Sequence, residues 1–127
     1  MQTFQINLRK AVVFVTLSFC FLTFKANAQK AESKTITGEV LDMVCYMSND
    51  AKGEKHKECA AGCIKGGAPM GLLTSDGKVY LLVENHSKKE AYDKLKERAG
   101  EKVTVTGTAS TKGGVQNIIV DELKDKS

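Results

Sequence analysis

Aromatic residues are scarce in this chain of 127 residues. Tryptophan is absent, and all five phenylalanines lie within the first 24 residues, so three tyrosines are the only aromatic side chains of the remainder. Proteins that bind single-stranded nucleic acid usually stack the bases on several aromatic side chains. The scarcity of such side chains after position 24 therefore argues against a nucleic-acid ligand.

An excess of positive charge is also lacking beyond the amino-terminal segment. The formal net charge is +4, but residues 1–28 hold three of the 19 basic residues and none of the 15 acidic ones. The remainder carries 16 basic and 15 acidic residues, which is a net charge of +1. Nucleic-acid binding depends on a basic surface that displaces counterions from phosphates. We therefore expect no nucleic-acid partner.

Several catalytic signatures are missing from the sequence. We find no paired carboxylates, no Ser-His-Asp set and no phosphate-cradling glycine loop, since the Gly66-Gly67 and Gly113-Gly114 pairs are interpreted as turn glycines. The C-x-x-C motif of thioredoxin-like proteins and the C-x-x-C-H motif of c-type haem attachment do not occur either. These absences leave catalytic residues unassigned and favour a binding or structural role over an enzyme.

The first 28 residues have the pattern of a signal peptide. Arg9 and Lys10 precede an apolar run of 14 residues, and an A-x-A pattern follows at residues 26–28. The run is shorter than the roughly 20 residues that a membrane-spanning helix needs. We therefore expect export to the periplasm or the extracellular space, with no stable membrane anchor after cleavage.

Export predicts a defined amino terminus, because signal peptidase would cut after Ala28 and leave Gln29 first. The intact mass of protein purified from the cell envelope measures this directly. A lipid on Cys20 is not expected, because the bulky Phe19 occupies a position where a lipoprotein signal needs a small residue. A species that retains residues 1–28, or that carries a lipid on Cys20, would contradict the prediction.

The remaining sequence predicts a flexible tail over residues 29–34 and one small domain over residues 35–127. Predicted strands cover residues 35–45, 70–74, 78–83, 102–109 and 115–120, because these segments are rich in apolar and β-branched residues and are separated by turn signals. A short helix is predicted within residues 56–65, ended by the glycine pair at 66–67 and by Pro69.

The clearest helix follows residue 87. Ser87 and Glu90 match a capping box, and Gly100 stands where a C-cap glycine would. An apolar stripe with helical spacing runs between them, formed by Ala91, Leu95 and Ala99 with Tyr92 alongside. The pattern predicts a helix that packs this stripe onto the rest of the domain.

The order of the predicted elements indicates the fold. Apart from the short helix after the first strand, a three-strand meander, a helix and a final hairpin are the elements of an OB-fold. We predict a mainly β protein with two helices, in which a five-stranded OB-like barrel carries a short cysteine-bearing helix inserted after strand 1.

The sequence also resembles a group of small exported bacterial domains of uncharacterised function with an OB-like barrel and a C-Y…H-x-x-C-A-x-x-C-I motif. The resemblance covers nearly all of the chain after the leader and implies the barrel and export, but no activity. The matching residues are Gly38, Val40, Asp42, Cys45, Tyr46, His56, Cys59, Cys63, Gly66, Pro69, Val79, Tyr80, Gly100, Val103, Val105 and Gly107.

Residues 42–69 hold the chemistry of the chain. Cys45, His56, Cys59 and Cys63 are all the cysteines and half of the histidines beyond the leader. If residues 56–65 are helical, spacings of three and four place the histidine and the last two cysteines on one helix face. Three thiolates and an imidazole suit a tetrahedral zinc ion or a soft copper(I) ion. The sequence therefore predicts a metal site formed by these four residues.

Two alternatives to a metal remain open at this stage. A disulfide from Cys45 to Cys59 or Cys63 would fix the first strand to the helix and leave the third cysteine buried and inert, with His56 at the surface. Thiol redox chemistry at Cys59 or Cys63 is the third hypothesis. Asp42 is a candidate hydrogen-bond partner of His56, although a carboxylate at a strand end is usually exposed. The sequence carries no signal for a particular protein partner.

Overall fold

The computed structural model describes residues 31–124, so the predicted signal peptide and the first two residues of the predicted tail lie outside the described residues. We number the strands β1 to β5 and the helices α1 to α3 in chain order. They are β1 (Glu32–Asp42), α1 (Met43–Asn49), α2 (Lys57–Lys65), β2 (Met70–Leu73), β3 (Val79–Glu84), α3 (Lys89–Lys96), β4 (Lys102–Lys112) and β5 (Val115–Lys124), with a 3-10 turn at Glu54–His56 before α2.

The five strands form a closed barrel in the order β1-β2-β3-β5-β4. Neighbouring strands are antiparallel except β3 and β5, which are parallel. The long β1 closes the barrel, because its first part pairs with β4 and its last four residues pair with β2. The predicted OB-like barrel and the helix inserted after strand 1 are therefore confirmed, with one helix more than predicted.

Alternation along the strands builds the barrel core. On β4 the valines, glycine and alanine at every second position are buried, and the threonines between them point outward. On the outer face Thr35 and Thr106 share a hydrogen bond of 2.9 Å, and Thr37 and Thr104 share one of 2.8 Å. The two-residue turn to β5 is Gly113-Gly114, both with positive φ, as a tight antiparallel hairpin requires.

Helix α3 closes one end of the barrel with the predicted stripe. Leu95 is buried in the core, and Ala91 and Tyr92 pack against it. Ala99 is also buried but follows the helix, which ends at Lys96 with Glu97 as its C-cap, so the predicted C-cap at Gly100 is wrong. The predicted capping box is wrong. The helix starts after Lys88 without a side-chain cap, because the backbone N–H of Ser87 donates instead to the Asn85 side chain.

The first strand differs from the prediction at both ends. Pairing with β4 begins at Glu32, inside the segment that we interpreted as a tail. The strand ends at Asp42, so Cys45 lies in helix α1 and not in a strand as predicted. Asp42 causes the change of direction, since its side chain accepts a hydrogen bond of 2.9 Å from the Val44 N–H and caps the helix.

Within residues 31–124, no helix is both long and apolar enough to cross a membrane.

Candidate metal centre

Three thiols from two helices converge beside the barrel. Cys45 lies in α1, and Cys59 and Cys63 lie one turn apart in α2. Their Sγ atoms are all within 4.8 Å of one another. All three are free thiols; Cys59 is exposed, and Cys45 and Cys63 are partly buried. The disulfide from Cys45 to Cys59 or Cys63, which the sequence left open, is therefore not formed.

The packing of α2 explains where its cysteines lie. Ala60 and Ile64 are buried in the core, and each follows a cysteine by one position. Because one residue is a rotation of about 100° around a helix, Cys59 and Cys63 lie beside the buried face and not on it. The packing of Ala60 and Ile64 into the core thus fixes the direction in which both thiols project.

The end of α2 is fixed to the start of α1. The helix ends in a Schellman motif, in which Gly67 has a φ of 102° and the Ala68 N–H donates to the Cys63 carbonyl at 2.9 Å. Two residues later, the Pro69 carbonyl accepts a hydrogen bond of 3.0 Å from the Met43 N–H. This link holds the two cysteine-bearing helices side by side.

Helix α1 also depends on a glycine of the neighbouring strand. Gly71 on β2 has no side chain, and a Cβ atom there would overlap the Met43 side chain. The first residue of α1 therefore packs directly onto the strand backbone. This close approach brings Cys45, two positions later, toward the thiols of α2.

A second group of possible ligands shares Cys45 with the first. A carboxylate oxygen of Asp42, the Cys45 thiol and a ring nitrogen of His56 all lie within 4.8 Å of one another. Asp42 is only 1 % exposed. Its Oδ2 atom is 4.0 Å from His56 Nε2, and both atoms are buried without a hydrogen-bond partner among the described residues. Unpaired buried polar atoms are costly and call for an explanation.

The loop that carries His56 is fixed to the barrel. The Gly53 N–H donates to the Glu39 carboxylate on β1. Just after His56, Lys57 forms an ion pair of 3.1 Å with Glu101. His56 is thus held between two anchors, at the end of the 3-10 turn and the start of α2.

Hydrogen bonding to Asp42 and burial raise the pKa of two of the thiols. The hydrogen bond from the Cys45 thiol to the Asp42 carboxylate, followed by burial, raises the pKa of Cys45 to about 12. Burial and then the hydrogen bond to Asp42 raise the pKa of Cys63. Burial acts to raise the pKa of Asp42, but hydrogen bonds from the Cys45 thiol and the Val44 N–H outweigh it, and the pKa lies below its usual range. The metal-free site thus holds the Asp42 carboxylate anion beside the neutral thiols of Cys45 and Cys63.

The spacing of these groups fits metal coordination. Tetrahedral zinc with Zn–S bonds of about 2.3 Å places two sulfur atoms about 3.8 Å apart, and Zn–N and Zn–O bonds of about 2.0–2.1 Å place a nitrogen and an oxygen about 3.4 Å apart. The thiols lie within 4.8 Å, and the Asp42 and His56 atoms are 4.0 Å apart. The observed separations thus lie within about 1 Å of those between metal-bound ligand atoms.

The structure places the four predicted ligands in two groups that share Cys45. The structure brings Cys45, Cys59 and Cys63 together, whereas His56 joins Cys45 and Asp42 and does not complete the three-cysteine group at the same distance. His56 also ends the 3-10 turn and does not lie within the helix. Asp42, expected at the surface, is buried in the site. Its position inside a segment with the residues of a strand gave no clear helix signal.

Comparisons with protein-family models, with curated proteins and with solved structures found no match to this chain. The fold and the site alone define the class: a small OB-like barrel with a cluster of three cysteines, a histidine and an aspartate between its first two strands.

Proposed function

We propose that this protein is an exported, non-enzymatic module that binds a zinc or copper ion in the cell envelope. Cys45, Cys59 and Cys63 supply the principal ligands, and His56 and Asp42 complete the donor set. One observation carries the proposal: three free thiols from two separate helices lie within 4.8 Å of one another. Thiolate and imidazole ligands select soft and borderline ions, which include copper(I) and zinc.

Two features of the site favour a metal over thiol redox chemistry. A reactive cysteine needs a lowered pKa, so that the thiolate is present at neutral pH. The pKa values of Cys45 and Cys63 are raised instead, chiefly by the hydrogen bond to Asp42 for Cys45 and by burial for Cys63. A redox pair would also leave the buried Asp42 and His56 atoms without a role, whereas a metal ion would satisfy both.

The test is thermal melting of reduced protein with Zn²⁺ or with a chelator. An ion that binds only the folded state at a hundred times its Kd stabilises the fold by about 2.7 kcal/mol. In a domain of this size that corresponds to an increase in Tm of about 10 °C or more. We expect Zn²⁺ to produce this increase and the chelator to reverse it.

The variant pair His56→Ala and His86→Ala provides a matched control, since these are the two histidines of the chain. The His86 side chain is 91 % exposed and lies outside the site. We expect His56→Ala to reduce the zinc-induced increase in Tm and His86→Ala to leave it unchanged. If Zn²⁺ and the chelator do not change the Tm, while a reductant lowers the Tm of protein purified without it, the metal hypothesis is wrong and a disulfide role stands.

A further inference from the structure

The donor set of the site divides into two groups. One contains Cys45, Cys59 and Cys63, the other contains Asp42, Cys45 and His56, and the only residue common to both is Cys45. A thiolate has several lone pairs and can bind two metal ions at once. The Cys45 sulfur is therefore placed where a bridging ligand would lie.

We infer that the site holds two zinc ions, one bound by Cys45, Cys59 and Cys63 and the other by Asp42, Cys45 and His56, with the Cys45 thiolate bridging them. This inference rests on the proposed metal-binding function and specifies the metal and its stoichiometry. Each ion would have three protein ligands, which leaves a fourth position of a tetrahedral zinc open to water or to an external ligand.

The charges of the donors favour two ions over one. When the three cysteines bind metal as thiolates, they and Asp42 together carry four negative charges in a partly buried site. One divalent ion would leave two of these charges uncompensated, and buried charge without a partner is strongly unfavourable. Two divalent ions balance all four. The nearby Lys52 and Lys57 are already paired with Asp50 and Glu101.

The buried Asp42 and His56 atoms specifically favour the ion bound by Asp42, Cys45 and His56, which we call the second metal position. A direct hydrogen bond between Asp42 Oδ2 and His56 Nε2 is excluded by their separation of 4.0 Å. The small cavity that both residues line with Val40 and Gly53 is too small for a water molecule, so water on that side does not bridge them. A metal ion with bonds of about 2 Å would satisfy both atoms at once.

The ligands of the second metal position indicate zinc. A carboxylate and an imidazole with one thiolate are typical zinc ligands, whereas copper(I) prefers thiolate and thioether sulfur. A single ion bound by the three cysteines and His56 is the competing arrangement. It would leave the buried Asp42 Oδ2 atom without a partner beside the site.

The test counts zinc by native mass spectrometry, after reduced protein has been loaded with Zn²⁺ and dialysed. We expect two ions per chain in the wild type, one in Asp42→Asn and one in Cys59→Ser. Asparagine at position 42 keeps an oxygen for the Val44 N–H and so preserves the helix cap. Asp93→Asn is the matched control, because Asp93 is an exposed residue of α3, and it should keep both ions.

The outcomes separate this inference from the proposed function. One zinc in the wild type, or two in Asp42→Asn, overturns the two-ion site but leaves a metal-binding function in place. No zinc in the wild type overturns both. Because the wild-type count needs no variant, a variant that fails to fold does not remove the test.

The bridging of two ions by the Cys45 thiolate is tested by a separate measurement. When cadmium replaces zinc, cadmium NMR should show two signals with a scalar coupling transmitted through the shared Cys45 sulfur. Two signals without coupling would overturn the bridging thiolate.

Discussion

Replacing Cys45 by serine is expected to weaken zinc binding by at least a hundredfold, more than any other single substitution in the chain. A structural zinc site with four ligands contributes about 10–16 kcal/mol in total, so one ligand accounts for roughly 3 kcal/mol, which is about a hundredfold in affinity. Cys45 belongs to both ligand groups, whereas every other donor belongs to one. Its loss therefore affects the whole donor set.

The measurement is competition of each protein with a chromogenic zinc chelator. Cys59→Ser is the matched comparison, because it makes the same chemical change at an exposed cysteine of only one group. We expect this variant to keep one tight ion, held by Asp42, Cys45 and His56. Equal losses of affinity in the two serine variants would show that Cys45 has no special position among the thiols.

The barrel could be predicted because its signals are local. Strands β2 and β3 are apolar segments on either side of a Ser-Asp-Gly turn, and Gly113-Gly114 marks the final hairpin. The predicted stripe of Ala91, Leu95 and Ala99 has the spacing of a helix face, and Leu95 in α3 and Ala99 just after it are buried as expected. In each case, the residues whose sequence pattern predicts a strand, turn or helix are the same residues that form it.

The position of Cys45 could not be predicted in the same way. The residues around Asp42 are apolar and partly β-branched, so their propensity favours a longer strand. Helix α1 forms because Asp42 caps it and because Pro69, 26 positions beyond the helix start, accepts the Met43 N–H. A contact over this sequence distance leaves no local pattern.

The burial of Asp42 could not be predicted from the sequence for a related reason. Its carboxylate is enclosed only when the loop with His56 folds back over the end of β1, where the Gly53 N–H meets Glu39. Sequence spacing correctly placed Cys59 and Cys63 together because both lie in one helix. It could not divide the donors into two groups, since that division depends on how three separate segments pack.

The site lies in residues 42–63, from the last residue of β1 into the connection that leads to β2. All five donors come from this segment, which is held against a closed barrel by backbone hydrogen bonds and by Glu39. Functional residues are often found on loops that a rigid scaffold positions. The barrel in this protein therefore serves to hold the connection in shape, and the chemistry of the site depends on Asp42, where strand and helix meet.

Asp42 also controls the reactivity of metal-free Cys45. The Cys45 thiol donates a hydrogen bond to the Asp42 carboxylate, which raises the pKa of Cys45 from 9.0 to about 12. A raised pKa means that the folded state favours the neutral thiol, so this interaction stabilises the fold below pH 9.0 and is lost as the pH rises toward about 12. At neutral pH, very little Cys45 is thiolate, the form that alkylating reagents attack.

Asp42→Asn removes the anion and should return the pKa of Cys45 toward 9.0. We therefore expect alkylation of metal-free Cys45 by iodoacetamide at neutral pH to become at least tenfold faster, with an upper limit of about a thousandfold set by the difference between 9.0 and about 12. Peptide mapping by mass spectrometry follows each cysteine separately, and Asp93→Asn is the matched control. An unchanged rate in Asp42→Asn would mean that Asp42 does not hold the Cys45 proton. Saturating Zn²⁺ should protect Cys45 in the wild type, because metal binding displaces that proton and engages the sulfur.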